Sequence, residues 1–377
     1  MPTPEKRQKV TFIISQIDKA IGFEWIVENL DQSRFDLSFI LLNEKPSYLA
    51  KFLAEKGIAV HELAFSGRKQ DLPRLLWKVI GLLRREKPDA IHTHMYIADL
   101  VGQFAGKLLG IKKRIYTRHS SNESRKYHKK QRIDRIVNSL STHVIAISEN
   151  VKNILHAEEG VPLERIRLIH HGFRLERFEN IPRAEIEELS AKYNPQNKAP
   201  VIGVVARYSH WKGIQHAIAA FKKLLEDYPN AILLLANAKK GDYKDEIAAL
   251  LSKLPGDSYY EIVFEHNLFA LYQLFDVYVH LPIDAELEAF GQTYVEALAA
   301  GIPSVFTNSG VAREFIRDGE NALTVDFQNS EQAYEAILKL LRDEELRQKL
   351  AETGKTDVKK MFTLEIMIAK MEKLYAE

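Results

Sequence analysis

Cysteine is missing from all 377 residues. That excludes a disulfide scaffold, a thiolate metal centre and a cysteine nucleophile, and it suits a reducing compartment. No apolar run approaches the roughly eighteen residues that a membrane-spanning helix needs. The stretch from Met1 to Lys9 is polar and charged, without the apolar centre of a signal peptide. The expected location is therefore the cytoplasm. No Asp-x-Asp pair occurs either, which removes one common way of holding Mg²⁺ or Mn²⁺ beside a phosphate. Zinc ligands, an aromatic RNA-binding platform and a helix-turn-helix signature are likewise missing, so nucleic acid is not an expected partner.

What is present is enough apolar residue, 46% of the chain, to fill two cores rather than one. The formal charge of +2 hides an asymmetry: residues 1–180 carry 31 Lys and Arg against 21 Asp and Glu, so the remainder is net acidic. Short apolar runs alternate with longer amphipathic ones. Strands are predicted at Val10–Ile14, Leu37–Leu42, Ala59–Leu63, Ala90–His92, Arg114–Thr117, Val144–Ile147 and Arg167–Ile169. Leu72, Leu75, Leu76, Val79 and Leu82 recur at helical spacing between two of them. The alternation pauses at Glu179–Ala199, which holds Pro182, Pro195 and one short helix. It resumes with strands at Val201–Val205, Ile232–Ala236, Ile262–Phe264, Val277–His280 and Ser304–Thr307. Strand–helix alternation implies parallel sheets covered on both faces. The expected fold is α/β, with two doubly wound Rossmann-like domains facing a central cleft. Domain one covers 1–180, a hinge 181–199 and domain two 200–362, with the terminal helix at 363–377 packing back on the first.

In such sheets ligands sit beyond the carboxyl ends of strands, and the informative residues follow strands here. Glu288-Ala289-Phe290-Gly291 precedes Glu296 by the spacing of a helix start, and Gly301-Ile302-Pro303 closes the string. Gly291 opens a helix whose free N–H groups favour a phosphate, and a side chain there would obstruct close approach. Glu296, about one and a half turns on, can accept hydrogen bonds from a diol, and Glu288 can grip hydroxyls. After another strand come Arg207 and Lys212, a planar fork and a point charge, both common phosphate ligands. His119 follows the strand at Arg114–Thr117. His92 and His94, two apart, share one strand face, an arrangement open to a metal, a structural or an acceptor-side role.

The string from Glu288 to Glu296 resembles the paired-glutamate motif of the family-4 retaining glycosyltransferases, a large GT-B family. Other matches stand in the same order. Thr117-Arg118-His119 resembles the element whose histidine lies near the transferred sugar, and Val144 to Ser148 a strand ending in serine. Ile169-His170-His171-Gly172-Phe173 with Arg177-Phe178 resembles the segment closing the first domain. Val201 to Arg207 with Lys212-Gly213 resembles the strand and turn whose Arg and Lys clamp the donor diphosphate. This sequence departs from the family pattern by a single glycine, Gly22, in the first loop, by His171 and Arg174, and by Gly310-Val311 before Glu314.

The resemblance implies a GT-B enzyme that moves a hexose from a nucleotide diphosphate sugar, UDP before GDP, to an acceptor hydroxyl with retention. The acceptor would be a lipid-linked or cell-surface glycan precursor, and no cofactor or metal is expected. It assigns catalysis to His119, Glu288, Arg207 and Lys212, and donor binding to Gly22, Arg207, Lys212, Phe290, Gly291 and Glu296. A sugar-nucleotide epimerase of the same architecture and a silent nucleotide-sugar-binding subunit remain the alternatives. The segment from Lys112 to Arg135 holds ten Lys or Arg, among them Arg125, Lys126, Lys129 and Lys130. Its readings are a solvated helix face, a surface for anionic membrane or lipid-phosphate acceptor, and nucleic acid. The expected pattern there puts Ile133, Ile136, Val137 and Leu140 on one inward face.

Overall fold

The computed structural model describes residues 7–121 and 128–377. The chain forms two compact units, one of Met1–Phe173 with Leu364–Glu377 and one of Arg174–Thr363.

In the first unit the strands are β1 (Gln8–Ser15), β2 (Phe35–Asn43), β3 (Ala59–Ala64), β4 (Ala90–His94), β5 (Lys113–Arg118), β6 (His143–Ala146) and β7 (Ile166–Leu168). They lie in the order β3-β2-β1-β4-β5-β6-β7, every pair parallel. Alternation across β1 feeds two cores. Val10, Phe12 and Ile14 face one, and Ile13 faces the other with Ile40 and Leu42. Helix Leu72–Glu86 covers the second face with Leu75, Val79, Ile80, Leu82 and Leu83. Pro73 sits in its first turn, where the missing N–H costs nothing. The first face is closed from far away in sequence. Helix Leu364–Ala376 lays Leu364, Met367, Ile368, Met371, Leu374 and Tyr375 on Val10, Phe12 and Phe39, at spacings of three and four residues. Each such side chain contributes about 1.5–3 kcal/mol when fully buried.

The second unit contains β8 (Val201–Val205), β9 (Ile232–Ala236), β10 (Tyr259–Ile262), β11 (Val277–His280), β12 (Ser304–Phe306) and β13 (Leu323–Thr324). Their order is β10-β9-β8-β11-β12-β13, again all parallel. Ile202, Val204, Leu233, Leu235, Val277 and Val279 form a core with Phe221 and Leu224 of helix Ile214–Asp227. Helix Arg183–Tyr193 belongs to this unit, its last residue donating from Tyr193 Oη to Glu265 at 2.5 Å.

Two local expectations need correction. The strand predicted at Ile262–Phe264 runs instead over Tyr259–Ile262, because those residues pair with Leu233–Ala236 while Val263 and Phe264 are exposed. In helix His128–Leu140 the buried face carries Asp134, Val137 and Asn138, whereas Ile136 is 48% exposed. The reason is polar. Arg118 is buried at the end of β5 and needs anionic partners, which Asp134 (3.0 Å) and Glu159 (2.9 Å) provide. Among the described residues no helix is long and apolar enough to cross a membrane.

Candidate functional site

Each sheet winds outward from one central strand, then returns to that strand's other side. The reversal falls between β8 and β11 in the second unit, and between β1 and β4 in the first. At such points the loops leaving two neighbouring strands diverge and leave a crevice for a ligand. Arg207, Lys212, Glu288 and Gly291 in the second unit, and Gly22 in the first, follow the strands that flank these points, and His94 ends one of them.

In the second unit, Arg207 lies just past β8. It is exposed and, among the described residues, its side chain makes no hydrogen bond or ion pair. Lys212 ends the tight turn His210–Lys212, with Nζ 2.5 Å from Glu288 Oε1 and 4.3 Å from the Trp211 ring centroid. Glu288, only 4% exposed, also accepts from His280 Nε2 at 2.9 Å. Burial alone would push the Glu288 carboxyl up. Lys212 and then His280 outweigh it and hold the group at about 2, permanently ionised. His280, at the end of β11, is lowered by burial and stays neutral, so its Nε2–H donates and, among the described residues, its Nδ1 has no partner. Sequence reading named Lys212 and Glu288 separately. It did not foresee that they meet, and it missed His280, whose one signal is a polar residue ending an apolar strand just before Pro282.

Gly291 caps helix Gln292–Ala299 with φ +87°, and a Cβ there would lie 2.6 Å from the Tyr294 ring. Glycine is thus required both by backbone conformation and by space. Phe290 is buried, its ring edge-on to Phe362 with centroids 5.7 Å apart. Glu296, on that helix, is half-buried and accepts from Tyr272 Oη at 2.9 Å. Burial pushes its carboxyl up to about 7, the Tyr272 bond offsetting only part of the effect. An acid whose folded value lies above its unfolded one stabilises the fold at low pH, and that contribution is lost as pH rises through 7. Glu296→Gln should therefore raise Tm at pH 8 by a few degrees, equivalent to about 1–3 kcal/mol. The gain should shrink toward pH 5. Equal melting of both proteins across that range, read by calorimetry, would contradict the buried-acid assignment.

In the first unit, Gly22 lies in the first turn of helix Ile21–Asn29, and a Cβ there would meet nothing within 4 Å. The fold therefore leaves that spot open. Next to it, Phe23 stands edge-on to His94, centroids 4.8 Å apart. His94 closes β4 and His119 follows β5, with His94 Nδ1 and His119 Nε2 at 3.0 Å. His171 stacks on His119 at 5.6 Å with ring planes 10° apart. His92 bonds Tyr375 Oη (2.6 Å) through Nδ1 and Thr117 Oγ1 (2.8 Å) through Nε2. Burial depresses all four rings, His119 to about 4, His92 and His171 to about 3, and His94 well below its usual value. They are neutral at pH 7. Among the described residues no set of three acids or histidines is placed to hold a metal. Of the basic segment, Arg125 and Lys126 lie outside the described residues, and Lys129 and Lys130 belong to the first turn of helix His128–Leu140.

The arrangement therefore offers one exposed cation, one buried carboxylate clamped by Lys212 and His280, a helix N-terminus at Gly291, and in the other unit a cluster of neutral imidazoles. Residues 185–357 match the sequence profile of the glycosyl transferases group 1, and residues 26–177 that of Glycosyltransferase Family 4. The chain is 25% identical to the capsular polysaccharide biosynthesis glycosyltransferase CapM of Staphylococcus aureus, over 86% of this chain and 91% of that protein. It is 22% identical to the alpha-monoglucosyldiacylglycerol synthase of Acholeplasma laidlawii, over 80% and 78% of the two chains. Among solved structures, Anabaena HepE in complex with UDP-glucose superposes with a TM-score of 0.81 at 20% identity, covering 98% of this chain and 100% of that one.

Proposed function

Because the chain belongs to the group 1, family 4 glycosyltransferases, we propose that it transfers a hexose from a UDP-sugar to a hydroxyl of a lipid-linked or cell-surface glycan precursor. Membership makes it a retaining hexosyltransferase of GT-B fold that uses a nucleotide sugar. The base, the acceptor and the residue roles are the proposal. In it the stretch 200–362 binds the donor, 1–180 binds the acceptor, and 181–199 is the hinge.

The observation that carries this reading is the meeting of Lys212, His280 and Glu288 at the β8–β11 reversal, beside the helix that starts after Gly291. A departing nucleoside diphosphate gains negative charge as the anomeric C–O bond breaks. Arg207, the two N–H donors Lys212 keeps beyond its bond to Glu288, and the N–H groups after Gly291 stabilise that charge without reorganisation. Glu296 takes the ribose diol. Glu288, kept ionised by its partners, accepts from sugar hydroxyls, and His119 contacts the sugar from the first unit, whose open spot at Gly22 gives the donor room. No residue is placed here as a covalent nucleophile. The leaving phosphate oxygen accepts the acceptor's proton while the acceptor oxygen bonds to the same face of the anomeric carbon, which balances charge and accounts for retention. UDP is favoured because HepE, of the same fold, binds UDP-glucose.

A thermal-shift screen of UDP-, GDP- and ADP-hexoses tests the donor. A bound donor at 100 times its Kd stabilises by about 2.7 kcal/mol, and a response to GDP- or ADP-sugars alone would overturn the UDP assignment. Excess EDTA should leave most transfer activity intact, since side chains supply the positive charge. Loss of activity that Mn²⁺ restores would refute that.

The names of the two relatives, a capsular polysaccharide biosynthesis glycosyltransferase and an alpha-monoglucosyldiacylglycerol synthase, favour an acceptor at a membrane. Four cations of the basic segment, Arg125, Lys126, Lys129 and Lys130, would give about 1 kcal/mol each at an anionic surface. Sedimentation with anionic vesicles should carry the protein down at low salt and release it at high salt, and neutral vesicles should not bind it. Reversal of the four charges should abolish the binding and spare donor hydrolysis. Indifference to anionic vesicles would overturn the membrane reading.

A further inference from the structure

We infer that His94 is a positioning residue that fixes His119 in the tautomer carrying its proton on Nδ1, so that His119 meets the sugar as a hydrogen-bond donor and not as a base. This rests on the reading of His119 as a sugar contact.

Both rings are neutral, so each carries a single N–H, and one proton lies between His94 Nδ1 and His119 Nε2 at 3.0 Å. Two placements exist. If His119 Nε2 donates, His94 must carry its own proton on Nε2. That atom is buried and, among the described residues, has no hydrogen-bond partner, so a donor would be stranded. If His94 Nδ1 donates, the same atom is an unfilled lone pair. Buried N–H groups without acceptors are much rarer than under-used acceptors, because the lost hydration of a donor is not recovered. The second placement wins. It leaves His119 Nδ1 protonated, and among the described residues that atom has no protein partner on the half-buried ring.

The neighbours hold the pair rather than compete for it. Phe23 stands edge-on to His94, and His171 stacks flat on His119. His92, the nearest other imidazole, spends both nitrogens on Tyr375 and Thr117. A donor on His119 suits a sugar hydroxyl oxygen, and it cannot remove the acceptor's proton. That task therefore stays with the leaving phosphate.

The test is selective ¹⁵N-histidine labelling of the full chain, with His119 assigned through His119→Ala. Long-range ¹H–¹⁵N correlations read the tautomer without reference to activity. An Nδ1–H signal is expected for wild-type His119, and an Nε2–H signal overturns the inference outright. His94→Leu removes the donor, whereas His94→Asn keeps an N–H near the Nδ1 position. With His94→Leu, kcat/KM should fall about 10- to 100-fold, as when other residues that orient a working imidazole are lost. With His94→Asn most of that should return, together with the Nδ1–H signal. If both variants are equally impaired while the Asn variant keeps the Nδ1–H tautomer, the tautomer does not matter and the inference fails. A separate failure is distinguishable. If His119→Ala leaves kcat/KM unchanged, the sugar-contact reading itself is wrong, whatever the tautomer.

Discussion

Arg207→Ala is expected to lower kcat by roughly 10²- to 10³-fold with Tm unmoved, while Lys212→Ala lowers kcat and Tm together. The two residues share a proposed role and differ in setting. Arg207 is exposed and, among the described residues, unpaired, so its loss touches only the charge that develops on the diphosphate. A missing preorganised stabiliser costs about 2.7–4 kcal/mol of barrier, and surface truncation leaves stability within about 0.5 kcal/mol. Lys212, by contrast, neutralises a carboxylate that is 4% exposed. Its removal strands that charge beside a neutral imidazole, which costs about 3–5 kcal/mol of stability. The double variant Lys212→Ala with Glu288→Gln separates the effects. It should regain most of the lost Tm, since no buried charge is left unpaired, yet stay as inactive as Lys212→Ala. Saturating-donor kinetics with thermal melts of the four proteins decides the matter. Near-normal kcat for Arg207→Ala would remove it from the site.

Gly213→Ala should be among the most damaging single methyl additions in the chain. Gly213 joins Lys212 to helix Ile214–Asp227 at φ +69°, and a Cβ there would lie 1.6 Å from the carbonyl oxygen of Leu281. The left-handed conformation alone costs about 1–2 kcal/mol. The overlap is with backbone just past β11, which cannot rotate away as a side chain would, so a further 1–3 kcal/mol of overpacking follows. Denaturant unfolding should show a loss of about 2–5 kcal/mol. Turnover should fall as well, because the turn that aims Lys212 must shift. A stability change under 1 kcal/mol would mean that the turn at Gly213 does not lie against the Leu281 carbonyl.

The parts that were legible in the sequence are those set by local pattern. Val201–Val205, Ile232–Ala236 and Val277–His280 appear at their predicted limits because each is a fully buried and largely apolar run of strand length. Helix Leu364–Ala376 was readable from its apolar spacing. β10 was not, because as an edge strand it takes its register from β9 and not from its own hydrophobicity. Two-residue β13 carries no pattern at all. The inward turn of Asp134 and Asn138 could not be read either, since its cause is an arginine elsewhere in the fold. The site divides the same way. Gly291 and Glu296 were visible as a helix start and a residue one and a half turns on. The pairing of Lys212 with Glu288, 76 residues later, is purely tertiary. His94 was visible as half of a His-x-His pair, but its contact with His119 needs β4 and β5 side by side.

The first unit borrows its lid from the far end of the chain. Phe23, Val27, Leu49 and Leu53 pack into one cluster with Val10, Phe12 and Phe39, but that cluster is completed only when Leu364–Ala376 arrives, and Tyr375 Oη then occupies Nδ1 of His92, against whose ring His94 lies at 4.1 Å. During synthesis the unit begun first is therefore finished last. The second unit, contained within Arg174–Thr363, has all its residues in hand before the first can bury its sheet. The nascent amino-terminal half thus waits with part of one apolar face uncovered, the condition under which chains collect chaperones or stick to one another. Its long-range closure also makes that half the slower to assemble. The same wiring ties quality control to chemistry: a chain cut short before residue 364 would leave the histidine cluster without its backing, and so would be unfinished in its core and at its working surface at once.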